Sequence, residues 1–543
     1  MNTLVMAHTV APPVAPAQTF AYVVARTNRQ GIARLRVGRL GGSLALSVVT
    51  ARGFVHTPID KTKRHFRLAS CDAPLSYEVV EIGRTSTKTR SRPLNVVAAR
   101  SFMDPPTQFA IPASQKHRYS VCLPPADYLV HRVESDRSVG PTELSTESQS
   151  GTTHLEIRHG RTHPNLPRGA GAIAGTPADM IEALATKTGA SVLLGLGENS
   201  HGSANLINLL REAVEKEALG PIAVLALEID AIAARHVDRA LQSRDLPALR
   251  RAVATVPGWP YTSEEMLGLL ESFARARQAP PRLLGLDVAV PFYACQHFKK
   301  SLEPDADQLA QLFARVQPLC LPLQAVDAGL NEVKAADARQ ALDSLMADTL
   351  VRRSPERLEE LDHLRKFLAL RTPLDALERD RFLALNLLRH EELLSAGTSL
   401  LLSHMGHVGF GEADSLGALL KKKLGDRYFA IGTLLGGGEV RAVHPASGPT
   451  SQRITGASSL EGTLEHAFTG LGHGDHAMQF AALSRISGGE SWLTGRYLAQ
   501  VIGAMYIPES GASQFAAISP REQFDALIYF DVSRATRPAR GTP

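Results

Sequence analysis

Two textures of hydrophobic and polar positions divide the chain. Between residues 19 and 162, short apolar and β-branched runs recur at close spacing: Tyr22-Val-Val, Leu44-Ala-Leu-Ser-Val-Val, Tyr77-Glu-Val-Val, Leu94-Asn-Val-Val and Tyr128-Leu-Val. Gly, Pro, Asp and Ser separate them, as expected of strands joined by turns. This part is predicted to be a small all-β, sandwich-like domain. The stretch Tyr119-Ser-Val-Cys-Leu-Pro-Pro-Ala-Asp-Tyr-Leu-Val predicts a strand, a turn and a returning strand. Residues 1–18 read as a flexible leader, 136–152 as a loop and the Pro/Gly-rich 163–177 as a linker.

From residue 176 the pattern changes. Thr176 followed by Pro177 predicts a helix start, and the helix runs to about Lys187. Apolar runs then alternate with amphipathic stretches. Strands are expected at 191–196, 222–229, 282–288, 399–403, 428–433, 440–443 and 524–532, with helices at 204–218 and 231–242. Thr262 and Glu265 are spaced as a capping box for a helix ending near Gln278. Residues 304–395 are mostly helical in pattern, with Ser354-Pro and Thr372-Pro as two starts and Gly397 as the stop. This alternation predicts an α/β fold: a partly parallel sheet with helices on both sides and a helical insertion, spanning 178–535. Residues 536–543 read as a flexible tail.

The 543 residues allow two or three domains at ~100–200 residues each. Apolar content of 44% and charged content of 21% suit a protein with a sizeable core. No apolar run reaches the ~18–20 residues of a membrane span, so no membrane insertion is expected. Pro12, Pro13 and Pro16 interrupt the N-terminal apolar stretch, and no Lys or Arg precedes it. That excludes a Sec signal peptide and points to the cytoplasm, with non-Sec export compatible. Cys71, Cys122, Cys295 and Cys320 form no CxxC and are expected as reduced, mostly buried thiols. Residues 1–168 carry +11 and the remainder −6, within a total of +5. The basic residues are dispersed, with little aromatic interleaving, so a solvated face is expected and nucleic acid is not.

The chemistry lies where the strands stop. The first leads into Gly195-Leu-Gly-Glu198-Asn-Ser200-His201-Gly202; the second ends at Glu228, the third at Asp287, the fourth at His404 and His407. Sites in α/β sheets form outside the carboxyl ends of the strands. His and Glu together permit general-base catalysis, with the carboxylate orienting the ring. Glycines at 195, 197 and 202 let backbone approach closely. Ser200 sits in GxxSxG, not the GxSxG of a nucleophile elbow, and reads as a loop or capping hydroxyl. Glu198, His201, Glu228, His404 and His407 are also potential ligands for a divalent metal, although HxxH is not a standard zinc spacing. A cofactor-free, metal-free site is the expectation.

These residues resemble the erythromycin esterase family. Gly197-Glu-Asn-Ser-His-Gly202 matches its Gly-Glu-x-(Ser/Thr)-His-Gly, and Glu228 its next strand-end glutamate. Trp259-Pro-Tyr-Thr262-Ser-Glu264, Gly285-Leu-Asp287 and the Arg379-to-Asn386 helix follow in the family's order, and the resemblance covers about 170–533. It implies hydrolysis of an ester or macrolactone, as in macrolide resistance. His201 would activate water, with Glu198 and Glu228 assisting. His404, helped by Arg379, would stabilise the tetrahedral intermediate. His407, Asp287, Asn386 and Ser200 would contact substrate. His404-Met-Gly-His407 carries methionine where the family has asparagine, a departure at the heart of the macrolide site. The partners expected are a small ester or lactone, and a protein or carbohydrate for the β domain. The alternative compatible with these residues is an effector-like or ligand-binding protein using the same domain with a different reaction or none.

Overall fold

The computed structural model describes residues 165–539 apart from 187–190, 257–259, 289–290, 303–306, 321–331, 371–375, 445–447, 455–456, 460–462, 496 and 507–514. Ahead of 165 it describes strands alone. Those twelve strands, between Leu4 and Arg158, pair into sheets of five, four and three. Three details differ from the sequence reading. Leu4–Thr9, inside the expected leader, pairs with Tyr22–Arg26 and Leu44–Thr50. Arg137–Ser145, inside the expected loop, pairs with Asp127–Glu134. Arg118–Val121 joins Leu75–Val80 while Asp127–Glu134 joins Val96–Ser101, so these two strands belong to different sheets and are not paired as a hairpin. The packing of a sandwich, with Cys71 and Cys122, lies outside the described residues.

The α/β part is built on seven strands: β1 (Leu193–Glu198), β2 (Ile222–Asp230), β3 (Arg282–Asp287), β4 (Thr398–His404), β5 (Tyr428–Leu435), β6 (His476–Gln479) and β7 (Ala526–Phe530). Their order is β3-β2-β4-β1-β5-β7-β6. All neighbours are parallel except β6, which runs antiparallel on β7 at the edge. β1 is buried along its whole length, as parallel strands covered on both faces must be. Successive residues alternate between two cores: Leu194, Leu196, Leu225, Leu400 and Leu402 on one face, Leu193, Val224, Ala226 and Leu401 on the other.

Helices α1 (Asn205–Glu215), α2 (Ala231–Ser243) and α3 (Glu264–Arg275) pack on the first face. In α1, Leu206, Ile207 and Leu210 are buried, each contributing roughly 1.5–3 kcal/mol over exposure. Asp230 caps α2 by accepting the Ala233 N–H at 2.7 Å. The cap of α3 is Ser263, whose Oγ accepts the Met266 N–H at 3.1 Å, not Thr262. Glu265 turns away to Arg537, so no capping box forms. Helix α4 (Ala376–Leu388) contributes to the second face.

The insertion is helical as expected, with Ser354 capping Pro355–Ala369; Thr372 lies outside the described residues. Its core includes Phe313, Leu342, Leu361 and Phe367, which pack with Phe298 of the preceding helix Phe292–Ser301. Cys295 and Cys320 form a disulfide there, correcting the expectation of reduced thiols. Elements that escaped the pattern include the helix Leu246–Ala254, capped by Asp245, and the edge strand His476–Gln479. The expected strand at 440–443 forms as Gly438–His444, outside the main sheet, and pairs with Gly448–Ile454. The linker is partly packed, since Gly175 and Ala477 exchange backbone hydrogen bonds. Of the tail, residues 536–539 are fixed against the domain and 540–543 lie outside the described residues. No described helix is long and apolar enough to cross a membrane.

Candidate active site

Four adjacent strands bring their carboxyl ends together. Because β4 inserts between β1 and β2, the rim reads Asp287, Glu228, His404, Glu198 in sheet order. Glu198 and His404 are register partners. The β2–β3 register shifts between Leu227 and Asp230, and this irregularity flanks Glu228. Glu198, His201 and Glu228 are buried, at 3%, 8% and 8% exposure.

The turn after β1 is built around close backbone contacts. A Cβ on Gly202 would lie 1.6 Å from the Arg441 carbonyl oxygen. The Gly202 carbonyl meanwhile accepts N–H groups from Arg441 and Thr536, at 3.0 and 2.9 Å. Gly202→Ala is expected to destabilise the protein by about 1–3 kcal/mol, the cost of overpacking, and to displace the loop. A urea-unfolding curve and an ester assay of that variant check this.

His201 Nδ1 sits 3.0 Å from Glu198 Oε2. An ionised carboxylate only accepts, so Nδ1 carries the proton and Nε2 of the neutral ring is the base. Nε2 lies 3.9 Å from Glu228 Oε2, so one water oxygen can reach both at ordinary hydrogen-bond distance. Burial alone would depress the His201 pKa; Glu228 and Glu198 outweigh it and hold the pKa above 6.5. Burial raises the Glu198 pKa.

Glu228 is the electrostatic centre. One oxygen accepts from Ser403 Oγ at 2.7 Å and the His404 N–H at 3.0 Å; the other accepts from Arg379 Nη2 at 2.6 Å and lies 3.5 Å from His407 Nε2. Burial would raise its pKa, but His407, Arg379 and His201 hold it well below 4.5. Arg379 also grips Asp287 with two bonds, at 3.0 and 2.7 Å. His407 Nδ1 is 2.5 Å from Asp380, whose second oxygen accepts the Leu416 N–H. Burial opposes the charge on His407, yet Glu228 and Asp380 raise its pKa.

His404 is the counterpart of His201. Its Nδ1 accepts the Gly406 N–H at 3.3 Å, which leaves the proton on Nε2. Nε2 is buried with no partner in hydrogen-bond geometry; the Asn199 carbonyl is a neighbouring acceptor. Burial, with His201 and His407 nearby, lowers its pKa to about 3, so the ring is a neutral donor. The two rings are 5.6 Å apart. His201, an acceptor at Nε2, therefore stands beside a donor at Nε2.

The structure thus brings together Glu198, His201, Glu228, His404, Arg379, His407 and Asp287. Arg379 and Asp287 are occupied by each other. Asn386 is a tie: its amide donates to the Leu286 carbonyl at 2.7 Å and its oxygen accepts from Lys366 at 3.0 Å. Ser200 is buried, donating to the Gly503 carbonyl at 3.2 Å and accepting the Gly202 N–H at 3.3 Å, a loop hydroxyl. Sequence reasoning missed Ser403 and Asp380, although each adjoins a residue it singled out. It also missed Tyr261, 6.1 Å from His201 between ring centroids. Burial, with Glu228 and Glu198 nearby, pushes the Tyr261 pKa well up, so the phenol keeps its proton. Among the described residues no three of His, Cys, Asp and Glu are arranged to hold a metal ion.

The family model for erythromycin esterase matches residues 222–533, a span that begins after the Glu198–His201 turn. A solved Bacillus cereus protein is 16% identical, with a TM-score of 0.54, covering 68% of this chain and 97% of its own. A structure described as a succinoglycan biosynthesis protein gives the same four figures: 16%, 0.54, 68% and 97%. A variant of the erythromycin esterase EreC in its open conformation is 17% identical over 67% of this chain and 95% of its own, with a TM-score of 0.45. With the α/β fold in place and the family model matched over more than half of its length, the chain belongs to the erythromycin esterase family.

Proposed function

We propose that the α/β domain hydrolyses a carboxylic ester or macrolactone by direct attack of water. The observation that carries this reading is the pair of histidines with opposite proton positions, one held by Glu198 beside Glu228 and the other a neutral donor. His201 Nε2 takes a proton from water as the water oxygen bonds to the carbonyl carbon. Glu228, anionic, stabilises the imidazolium that results. His404 Nε2–H donates to the oxygen that gains charge. When the tetrahedral species collapses, the carbon–oxygen ester bond breaks. His201 returns the proton to the leaving alkoxide, giving an acid and an alcohol. Arg379 acts on Glu228, fixing its position and charge. No step calls for a cofactor.

The test is product analysis by mass spectrometry across simple esters, lactones and a macrolide. The expected result is gain of one water by at least one of them. A folded protein that hydrolyses none overturns the reading.

A further inference from the structure

Residues 534–539 lie beyond the family match, which stops at 533. Val532-Ser-Arg-Ala-Thr-Arg-Pro-Ala539 has no apolar periodicity and reads as a loop. Its polar groups nevertheless find partners in three separate elements. Ser533 exchanges backbone bonds with the start of the 438–444 strand, its N–H donating to Gly437 at 2.7 Å and its carbonyl accepting from Glu439 at 2.9 Å. Arg534 accepts the Ala204 N–H at 2.8 Å and donates to Asn205 Oδ1 at 2.9 Å. Thr536 donates to the Gly202 carbonyl at 2.9 Å.

The segment then crosses to the start of α3. Arg537 accepts the Glu264 N–H at 2.9 Å, and Ala539 donates to the Thr262 carbonyl at 3.0 Å. The side chain of Arg537 closes the crossing. Its Nε and its backbone N–H reach the two oxygens of Glu265, at 3.0 and 2.9 Å. Glu265 is buried whereas the Arg537 side chain is 74% exposed, so the contact can be undone from outside without opening the core.

One short peptide therefore joins the four residues after His201 to the four after Tyr261. On the opposite side, the His201 N–H is held by the Gly503 carbonyl at 3.2 Å. We propose that Val532–Ala539 is a positioning strap for His201: it clamps Gly202–Asn205 against Thr262–Glu265 and so fixes the imidazole between Glu198 and Glu228. This rests on the reading of His201 as the general base. The strap touches no substrate and acts through the loop.

The test uses the full chain with Thr536→Pro, which deletes the N–H given to Gly202, Arg537→Ala, which removes the side-chain latch, and Arg537→Lys as the conservative variant. His201 is read directly, by its rate of carbethoxylation with diethyl pyrocarbonate at peptide resolution. The expected result is a rise of roughly tenfold at His201 in Thr536→Pro and Arg537→Ala, through local opening of the loop. Arg537→Lys is expected to stay near wild type, and His404 and His407 to stay within about twofold. On an ester that wild type cleaves, kcat falls by about 10–100-fold while KM stays within about threefold. Unchanged labelling at His201 in both disruptive variants overturns the strap, as does an equal rise at all three histidines. An inactive wild type sinks the hydrolase reading alone, because the labelling still decides the strap.

Discussion

His201→Asn is expected to lower kcat/KM by about 10³–10⁴-fold, with little change in thermal stability. That loss corresponds to roughly 4–5.5 kcal/mol of transition-state stabilisation. Asparagine retains an N–H donor for Glu198, so the buried carboxylate keeps a partner and the loop its anchor. What disappears is the ring nitrogen that accepts the proton from water. Steady-state kinetics beside a melting curve separates the two effects. A variant retaining more than a tenth of wild-type activity would remove His201 from the base role.

Glu228→Ala is expected to be the most destabilising substitution in the site, by about 3–5 kcal/mol near neutral pH. Glu228 is buried and accepts from Arg379, Ser403 Oγ and the His404 N–H. Alanine leaves those donors without their acceptor, in a place where water is largely excluded. Asp287 retains its two bonds to Arg379, which limits the damage on that side. The pH dependence has a definite sign. The folded pKa of Glu228 is depressed below 4.5, so its contribution is fully present above pH 4.5. It is lost as pH falls through the folded value. The stability gap between wild type and Glu228→Ala should therefore narrow in acid, as urea-unfolding midpoints at neutral and acidic pH would register.

The rim of the site was legible because of how a parallel sheet is made. Strands covered on both faces appear as unbroken apolar runs, and the first polar residue after each run marks its carboxyl end. Glu198, Glu228 and Asp287 were found in that way, and His404 one residue further, past Ser403. The order of the strands is set by packing and does not appear in the runs. Hence Arg379 was visible as a candidate, but its engagement with both Asp287 and Glu228 was not. Asp380 shows the same limit: it follows Arg379 directly, yet its role depends on His407 from a different element. Tyr261 comes from a loop with no periodicity. The Cys295–Cys320 bridge depends on helix packing in the insertion, which cysteine spacing does not encode. The strap was missed for a related reason, since its hydrogen bonds are almost all made by backbone and carry little side-chain pattern.

The most direct test of the account is the pH dependence of kcat/KM for wild type and Glu198→Gln on a cleaved ester. A general base must be neutral to act, and Glu198 and Glu228 hold the His201 pKa above 6.5. Activity should therefore rise with pH, with its midpoint above 6.5 in wild type. Glu198→Gln removes one of the two carboxylates that raise the pKa, so the midpoint should move down, and the rate should fall by roughly 10²–10⁴-fold as the tautomer is lost. A wild-type midpoint at or below 6.5 that Glu198→Gln leaves in place would contradict the account.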